Sequence, residues 1–358
     1  MKLDLRPIES TLPTSCVVYG AGSFGRTLSS DLLGAGVEVV ALLDRRVSDV
    51  GAELTVMRPE ESRDFADQPC FIGVCNPDTD PNEIAHSARA LGYRRVWSPA
   101  EAFTALGRAG LSRDHYWLTS DLNVYERCAD EIERAYDLLA DELSRTSFQR
   151  LLQYRTKGDL DLLPEPEPQQ YYPADLAFVD GPVSLVDGGA YDGDTLRAYV
   201  GAGVELTSVL AFEPDAVNFK NLAGELARHP GVRGIALPLA LGQKTETVRF
   251  AASGATSSAI DASGDVTVQC VALDDVLHGE SPTHVKLDLE GWEPDALTGM
   301  EGLLVSARPR LAVSVYHAPD HLWTILLQLA SLELGYRFYL RCHARQCFDT
   351  VLYAIPEP

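Results

Sequence analysis

Apolar positions along the chain fall into short runs separated by longer amphipathic stretches, and this alternation occurs twice. Cys16–Tyr19 is a strand-like run, followed by the turn Gly20-Ala-Gly-Ser-Phe-Gly25, a helical pattern through Leu33 and a second apolar run, Val37–Leu43, ending at Asp44. Strand, glycine turn, helix and strand make a βαβ unit. Phe71–Val74 stops at Asn76-Pro77, and Arg95–Trp97 precedes Ser98-Pro99 with the helix-forming Ala100–Leu106 behind it. A small parallel sheet is expected over residues ~12–108.

From Asp121 to Tyr154 there is no Gly or Pro, and Val124, Cys128, Ile132, Leu138, Leu139 and Leu143 recur at a helical period. One long helix or a helical pair is expected. Gly158–Asp180 is rich in proline and acid, which stops helices and suits a connection. The pattern then restarts with Ser184–Val186, a glycine turn, a helix near Thr195–Val200, the run Ser208–Phe212 and a helix near Asp215–Arg228. Further strands are expected at Gly234–Pro238, Thr247–Phe250, Thr267–Val271, His284–Leu289, Leu311–Tyr316, Arg337–Leu340 and Thr350–Ala354, with helices at Glu293–Gly302 and Asp320–Gly335. The fold class is therefore α/β. A smaller Rossmann-like domain (1–115) leads through a helical connector and linker (116–170) to an open, mostly parallel sheet with an antiparallel edge (171–358).

Charge narrows the function. The chain carries 52 Asp+Glu against 30 Lys+Arg, a formal net charge of −22, so its field opposes nucleic-acid backbones and anionic membrane surfaces. A small-molecule partner is expected, with no nucleic acid and no membrane, and a homo-oligomer is compatible with the sequence. No apolar stretch reaches the length of a membrane span and the first residues, MKLDLRPIES, lack the apolar segment of a secretory signal, so a cytoplasmic location is expected. The seven cysteines do not form a dense disulfide framework. Two C-x₄-C spacings, Cys70–Cys75 and Cys342–Cys347, invite a zinc reading, but buried small hydrophobes account for them better.

The two glycine turns differ in chemistry. Gly20–Gly25 fits G-x-G-x-x-G, with Asp44 where a ribose-binding acid ends the second strand of a dinucleotide site; tight strand-to-helix packing explains the same glycines equally well. No lysine occurs between Lys2 and Lys157, so a Tyr–Lys reductase pair cannot come from this half. The second turn reads Asp187-Gly188-Gly189-Ala-Tyr191-Asp-Gly193-Asp194-Thr195, a D-x-G-x-x-x-G loop with an acid at the strand end. Asp187 would repel a pyrophosphate and attract the positively charged S-adenosylmethionine. Glu213, followed by Pro214, ends the next strand, where a carboxylate can accept both ribose hydroxyls.

A third motif, Val285-Lys286-Leu287-Asp288-Leu289-Glu290-Gly291-Trp292-Glu293, places Lys286, Asp288 and Glu290 on one face as a strand ends, where such sheets form their ligand crevice. Three charges on one side of a buried strand are costly unless used or paired.

Through VDGGAYDGDT, AFEPDAVNFKNL, the Leu-Asp-Asp before Val276, VKLDLEGWEPDALTGM, VSVYHAPDHLW, GYRFYLRCH and TVLYA, the chain resembles the FkbM family of S-adenosylmethionine-dependent methyltransferases over Tyr171–Ala354. YGAGSFGRTL and LLADELSRTSF also resemble the Rossmann-like extension of a longer subset of that family. The resemblance implies a class I methyltransferase sheet and methyl transfer to a hydroxyl oxygen of a sugar, polyketide or related natural product. It places the cofactor on Asp187, Gly188, Gly189, Tyr191, Gly193, Asp194, Thr195, Glu213, Pro214 and Asp274, and the acceptor near Asp288, Glu290, His317 and Lys286. Asp288 is the expected base, with His317 next to it in role. Asp288, Glu290, Asp274 and His317 also offer the ligand types of a magnesium site, which sequence separation leaves open. A non-catalytic nucleotide sensor, or an NAD-linked protein using the amino-terminal turn, remains the competing reading.

Overall fold

The computed structural model describes residues 4–46, 54–111, 113–121, 123–251, 259–260, 264, 266–277, 279 and 281–357. The amino-terminal sheet consists of β1 (Ser15–Tyr19), β2 (Glu38–Leu43), β3 (Val56–Met57), β4 (Cys70–Ile72) and β5 (Val96–Trp97) in the order β3-β2-β1-β4-β5, all parallel. Between them run α1 (Ser23–Gly34) and α2 (Pro81–Ala90), and α3 (Pro99–Arg108) follows β5. Pro81 and Pro99 open their helices without loss, because the first helical N–H has no partner, and Asp80 and Ser98 cap them. This is the expected small parallel sheet. A two-stranded hairpin, β6 (Asp114–His115) and β7 (Leu118–Thr119), follows it; its two-residue strands were too short for sequence periodicity to reveal.

The stretch from Asp121 to Tyr154 is broken into α4 (Val124–Arg127), α5 (Ala129–Leu138) and α6 (Glu142–Lys157). The break after α5 comes at Leu139, whose backbone is extended, and Asp141 then caps α6 by accepting from Ser144 N. These helices pack into the carboxy-terminal half: α5 against α12 (His321–Ser331), and α6 against both α3 and β17 (Tyr336–Cys342). One apolar core runs from Phe103 and Trp117 through Ile132, Phe148 and Leu152 to Trp323, Phe338 and Leu352.

Seven strands form the large sheet: β8 (Val183–Gly188), β9 (Leu206–Phe212), β10 (Arg233–Leu237), β15 (His284–Leu287), β16 (Arg310–Ser314), β17 and β18 (Thr350–Pro356). Their order is β10-β9-β8-β15-β16-β18-β17, parallel except for β18, which runs antiparallel to both neighbours and makes the expected antiparallel edge. Helices α7 (Asp194–Gly201), α8 (Ala216–Arg228), α10 (Glu293–Thr298) and α11 (Glu301–Ala307) lie among these strands, with the short α9 (Leu273–Val276) before β15. The strand order reverses between β8 and β15, so a crevice opens beyond their carboxy-terminal ends. Two expected strands went elsewhere. β12 (Glu246–Ala251) and β14 (Val266–Val271) pair with β11 (Ala240–Leu241) and β13 (Ala259–Ile260) in a separate four-stranded sheet. Among the described residues, no helix is long and apolar enough to cross a membrane.

Candidate active site

At the end of β8, Asp187 is buried and its Oδ1 lies 3.2 Å from Nζ of Lys286 on the adjacent β15. Lys286 also donates to the carbonyls of Gly188 (3.3 Å) and Gly189 (2.5 Å). Burial disfavours the ammonium, yet Asp187 outweighs it and holds Lys286 above the ordinary lysine range. Lys286 therefore clamps the glycine turn from below. Gly189 has φ +69, and a Cβ there would sit 1.9 Å from the carbonyl oxygen of Asp288, so only glycine lets the turn approach the end of β15. A Cβ on Gly193 (φ +89) would instead meet Glu225 on α8 at 3.0 Å, which makes that position one of helix packing rather than ligand approach. Asp194 opens α7, and its Oδ1 accepts from Thr195 N at 2.8 Å.

Glu213 follows β9. Its two oxygens accept from Tyr191 N and Asp215 N, each at 2.8 Å, and burial lifts its pKa to about 7. A carboxylate has about four lone-pair positions, so after two backbone bonds it keeps acceptors for further donors. Pro214 and Tyr191 line the same space.

Beyond β15 the chain turns sharply, with Glu290 at φ 52 and Gly291 at φ 105. Oδ2 of Asp288 accepts from Tyr171 OH at 2.8 Å. His317, just beyond β16, is almost wholly buried, with Nε2 3.4 Å from Oδ1 of Asp288 and 3.7 Å from Oε1 of Glu290. Its Nδ1 is 2.8 Å from Oε1 of Glu293, which also accepts from Leu289 N at 2.6 Å. The other Glu293 oxygen lies 3.5 Å from Nδ1 of His321. Burial disfavours the imidazolium, but Glu293, Asp288 and Glu290 together raise the His317 pKa to about 9. Burial lifts Glu290 to about 8 and Asp349, in the loop before β18, to about 7.

One cavity of about 620 Å³ is lined among others by Tyr191, Asp194, Glu213, Lys286, Asp288, Glu290 and Asp349. Its far wall comes from the amino-terminal half: Phe24 and Thr27 of α1, Asn76, and Arg113, His115 and Tyr116 of the hairpin. Tyr116 packs its ring 6.1 Å from His317 and 5.3 Å from Phe348.

The structure thus brings Gly189, Tyr191, Asp194, Glu213, Pro214, Lys286, Asp288 and Glu290 to one cavity, with His317 packed behind Asp288 and Glu290; Asp187, Gly188, Gly193 and Thr195 lie outside its lining. Asp274 stands apart from the lining of this cavity: its carboxylate accepts from Gly302 N (2.7 Å) and Leu303 N (2.8 Å) and caps the first turn of α11. Lys286 lines the cavity while its ammonium pairs with Asp187 and donates to two carbonyls, an arrangement that holds the glycine turn. Sequence reasoning missed Tyr171, Glu293, Asp349 and Tyr116. Glu293 stood within the third motif and could have been singled out; the others reach the site only through tertiary packing.

The amino-terminal turn borders a separate cleft of about 500 Å³. Asp44 Oδ2 accepts from Ala21 N at 2.9 Å, and a Cβ on Gly25 would fall 1.9 Å from the carbonyl of Gly20. Close packing therefore accounts for Gly25. All seven cysteines are free; Cys70, Cys342 and Cys347 are buried and Cys75 half-buried.

Comparison with known proteins bears on the fold. Residues 187–338 match the family described as the methyltransferase FkbM domain. The chain is similar to the crystal structure of a methyltransferase FkbM from Methylobacillus flagellatus KT, with 22% identity, a TM-score of 0.77, and coverage of 96% of this chain and 90% of that one. An rRNA methylase from Streptococcus thermophilus (15% identity, TM-score 0.32, covering 53% of this chain and 99% of that one) is far more distant. So is the fibrillarin of Aeropyrum pernix in complex with natively bound S-adenosyl-L-methionine (11%, TM-score 0.31, 49% and 68%). No curated protein gives a significant match.

Proposed function

We propose that this protein, whose residues 187–338 match the methyltransferase FkbM domain, transfers a methyl group from S-adenosylmethionine to a hydroxyl oxygen of a small acceptor such as a sugar or related natural product. The observation that carries this reading is the convergence of two carboxylates with different tasks, Glu213 and Asp288, on one cavity. Glu213 retains acceptor positions for vicinal hydroxyls, and the turn held by Lys286 and closed by Gly189 brings backbone against the same space. Asp194 and Asp288 place carboxylates in the cavity wall, which favours a cation.

When bound, S-adenosylmethionine supplies an electrophilic methyl on a positively charged sulfur. The chain's own work is to align an acceptor oxygen and take its proton. Tyr171 holds Oδ2 of Asp288 and leaves Oδ1 directed at His317, so the carboxylate is oriented before an acceptor arrives. Phe24, His115 and Tyr116 form the acceptor end from the other half of the chain, which excludes water from the reacting oxygen. Mass spectrometry of the ligand that co-purifies with the full chain tests the cofactor, with S-adenosylhomocysteine or S-adenosylmethionine expected. An acceptor screen with methyl-labelled S-adenosylmethionine tests the substrate class, and label recovered only on nitrogen would overturn the hydroxyl assignment.

A further inference from the structure

Two polar atoms beneath the cavity lining face each other without making a hydrogen bond: Nε2 of His317 and Oδ1 of Asp288, both buried. They lie 3.4 Å apart, and Oε1 of Glu290 is 3.7 Å from the same nitrogen. Charge-assisted hydrogen bonds close to about 2.7–2.9 Å, so this spacing is too long for them. The 3.4 Å separation of Nε2 and Oδ1 is that of neighbouring ligands around a metal ion, and Oε1 of Glu290 lies just beyond it. With bonds of about 2.0–2.2 Å, neighbouring ligand atoms stand roughly 3.0–3.6 Å apart in octahedral or tetrahedral arrangements.

We propose that Asp288, Glu290 and His317 form a binding site for one divalent cation. Each ligand is turned inward by a separate constraint. Tyr171 occupies Oδ2 of Asp288 and leaves Oδ1 free. Glu290 sits in a left-handed backbone conformation, uncommon for a non-glycine residue, which points its carboxylate back at His317. Glu293 accepts the proton of Nδ1, which makes Nε2 the coordinating nitrogen, as a carboxylate does behind metal-bound histidines. Asp288, Glu293 and His317 all offer ligand atoms within 4.8 Å of one another, but Glu293 is committed to Nδ1, Leu289 N and the neighbourhood of His321. It therefore supports the site from behind.

Two carboxylates and one imidazole, with no thiolate, suit manganese or magnesium better than a structural zinc. Three protein ligands leave positions open toward the cavity, where an acceptor hydroxyl could bind and be acidified. That last role rests on the transferase reading; the site itself does not.

Manganese is the probe. The full chain, stripped with chelator, is titrated with Mn²⁺ while free Mn²⁺ is followed by electron paramagnetic resonance, and S-adenosylmethionine binding is measured on each variant by calorimetry. One Mn²⁺ per chain is expected. Glu290→Gln and His317→Gln should weaken it at least about 10-fold, and Glu293→Gln by about 10–100-fold, with cofactor affinity retained as evidence of folding. Absence of Mn²⁺ binding to the wild type up to roughly 1 mM, the weak end of natural sites, overturns the proposal. So does binding that all three substitutions leave unchanged. Mn²⁺ binding without any S-adenosylmethionine affinity would keep the cation site and remove the transferase reading instead.

Discussion

The carboxylate of Glu293, with no exposed surface, sits 2.8 Å from Nδ1 of His317 and so decides which ring nitrogen faces Asp288. An ionised carboxylate only accepts, so Nδ1 carries the proton. Burial pushes Glu293 up, but His317 and His321 outweigh it and hold it well below the usual carboxylate range. The pair makes the histidine a fixed element of the site.

Glu293→Gln should destabilise the protein by roughly 3 kcal/mol near neutral pH, as breaking a buried pair does. The lowered Glu293 pKa contributes stability that is present above about pH 4.3 and lost as pH falls. His317, raised to about 9, contributes stability that is complete below about pH 6.5 and lost as pH rises through 9. Thermal melts across pH should show the largest gap between wild type and variant from about pH 5 to 8, closing toward pH 10. A gap independent of pH would show that packing, not charge, links the two residues.

Glu213→Ala should weaken S-adenosylmethionine binding by about 1–3 kcal/mol, because hydroxyls accepted by a charged group lose their partner. Calorimetry on the folded variant reads this directly, and unchanged affinity removes Glu213 from the cofactor site.

The same carboxylate sets a pH dependence. Burial lifts Glu213 to about 7, and hydroxyl donors favour its ionised form, so cofactor affinity should fall as pH drops below 7. Calorimetry at pH 7 in buffers of different ionisation enthalpy should detect proton release on binding. Proton uptake, or affinity flat from pH 6 to 8, counts against the assignment.

Asp288→Asn keeps shape and removes charge. Turnover should fall by at least ~10²-fold while S-adenosylmethionine affinity changes little. Full turnover in the variant would remove Asp288 as the base.

Tyr116 comes from the amino-terminal hairpin yet packs on His317 and Phe348. Tyr116→Ala should raise KM for the acceptor and leave S-adenosylmethionine affinity near wild type. A change confined to cofactor affinity would show that the hairpin does not shape the acceptor end.

Local pattern in the sequence determined most of the parallel strands, the two glycine turns, the acid at the end of β9 and the cluster that follows β15, because strand alternation and turn chemistry act within a few residues. Local pattern could not show what Asp274 touches: only the approach of Gly302 and Leu303 makes its carboxylate a helix cap. It also left the helical stretch from Asp121 unbroken, since the extended backbone at Leu139 answers to packing against β17 and not to a Gly or Pro. Tyr171, Asp349 and Tyr116 carry no motif; they lie far from Asp288 in sequence and meet it through long-range packing. Tertiary structure alone decided which charged groups are spent on one another, as Lys286 on Asp187, and which, as Asp288 and His317, face each other across a gap. Sequence orders the residues along one dimension, whereas burial and separation in space set their charge states and partners.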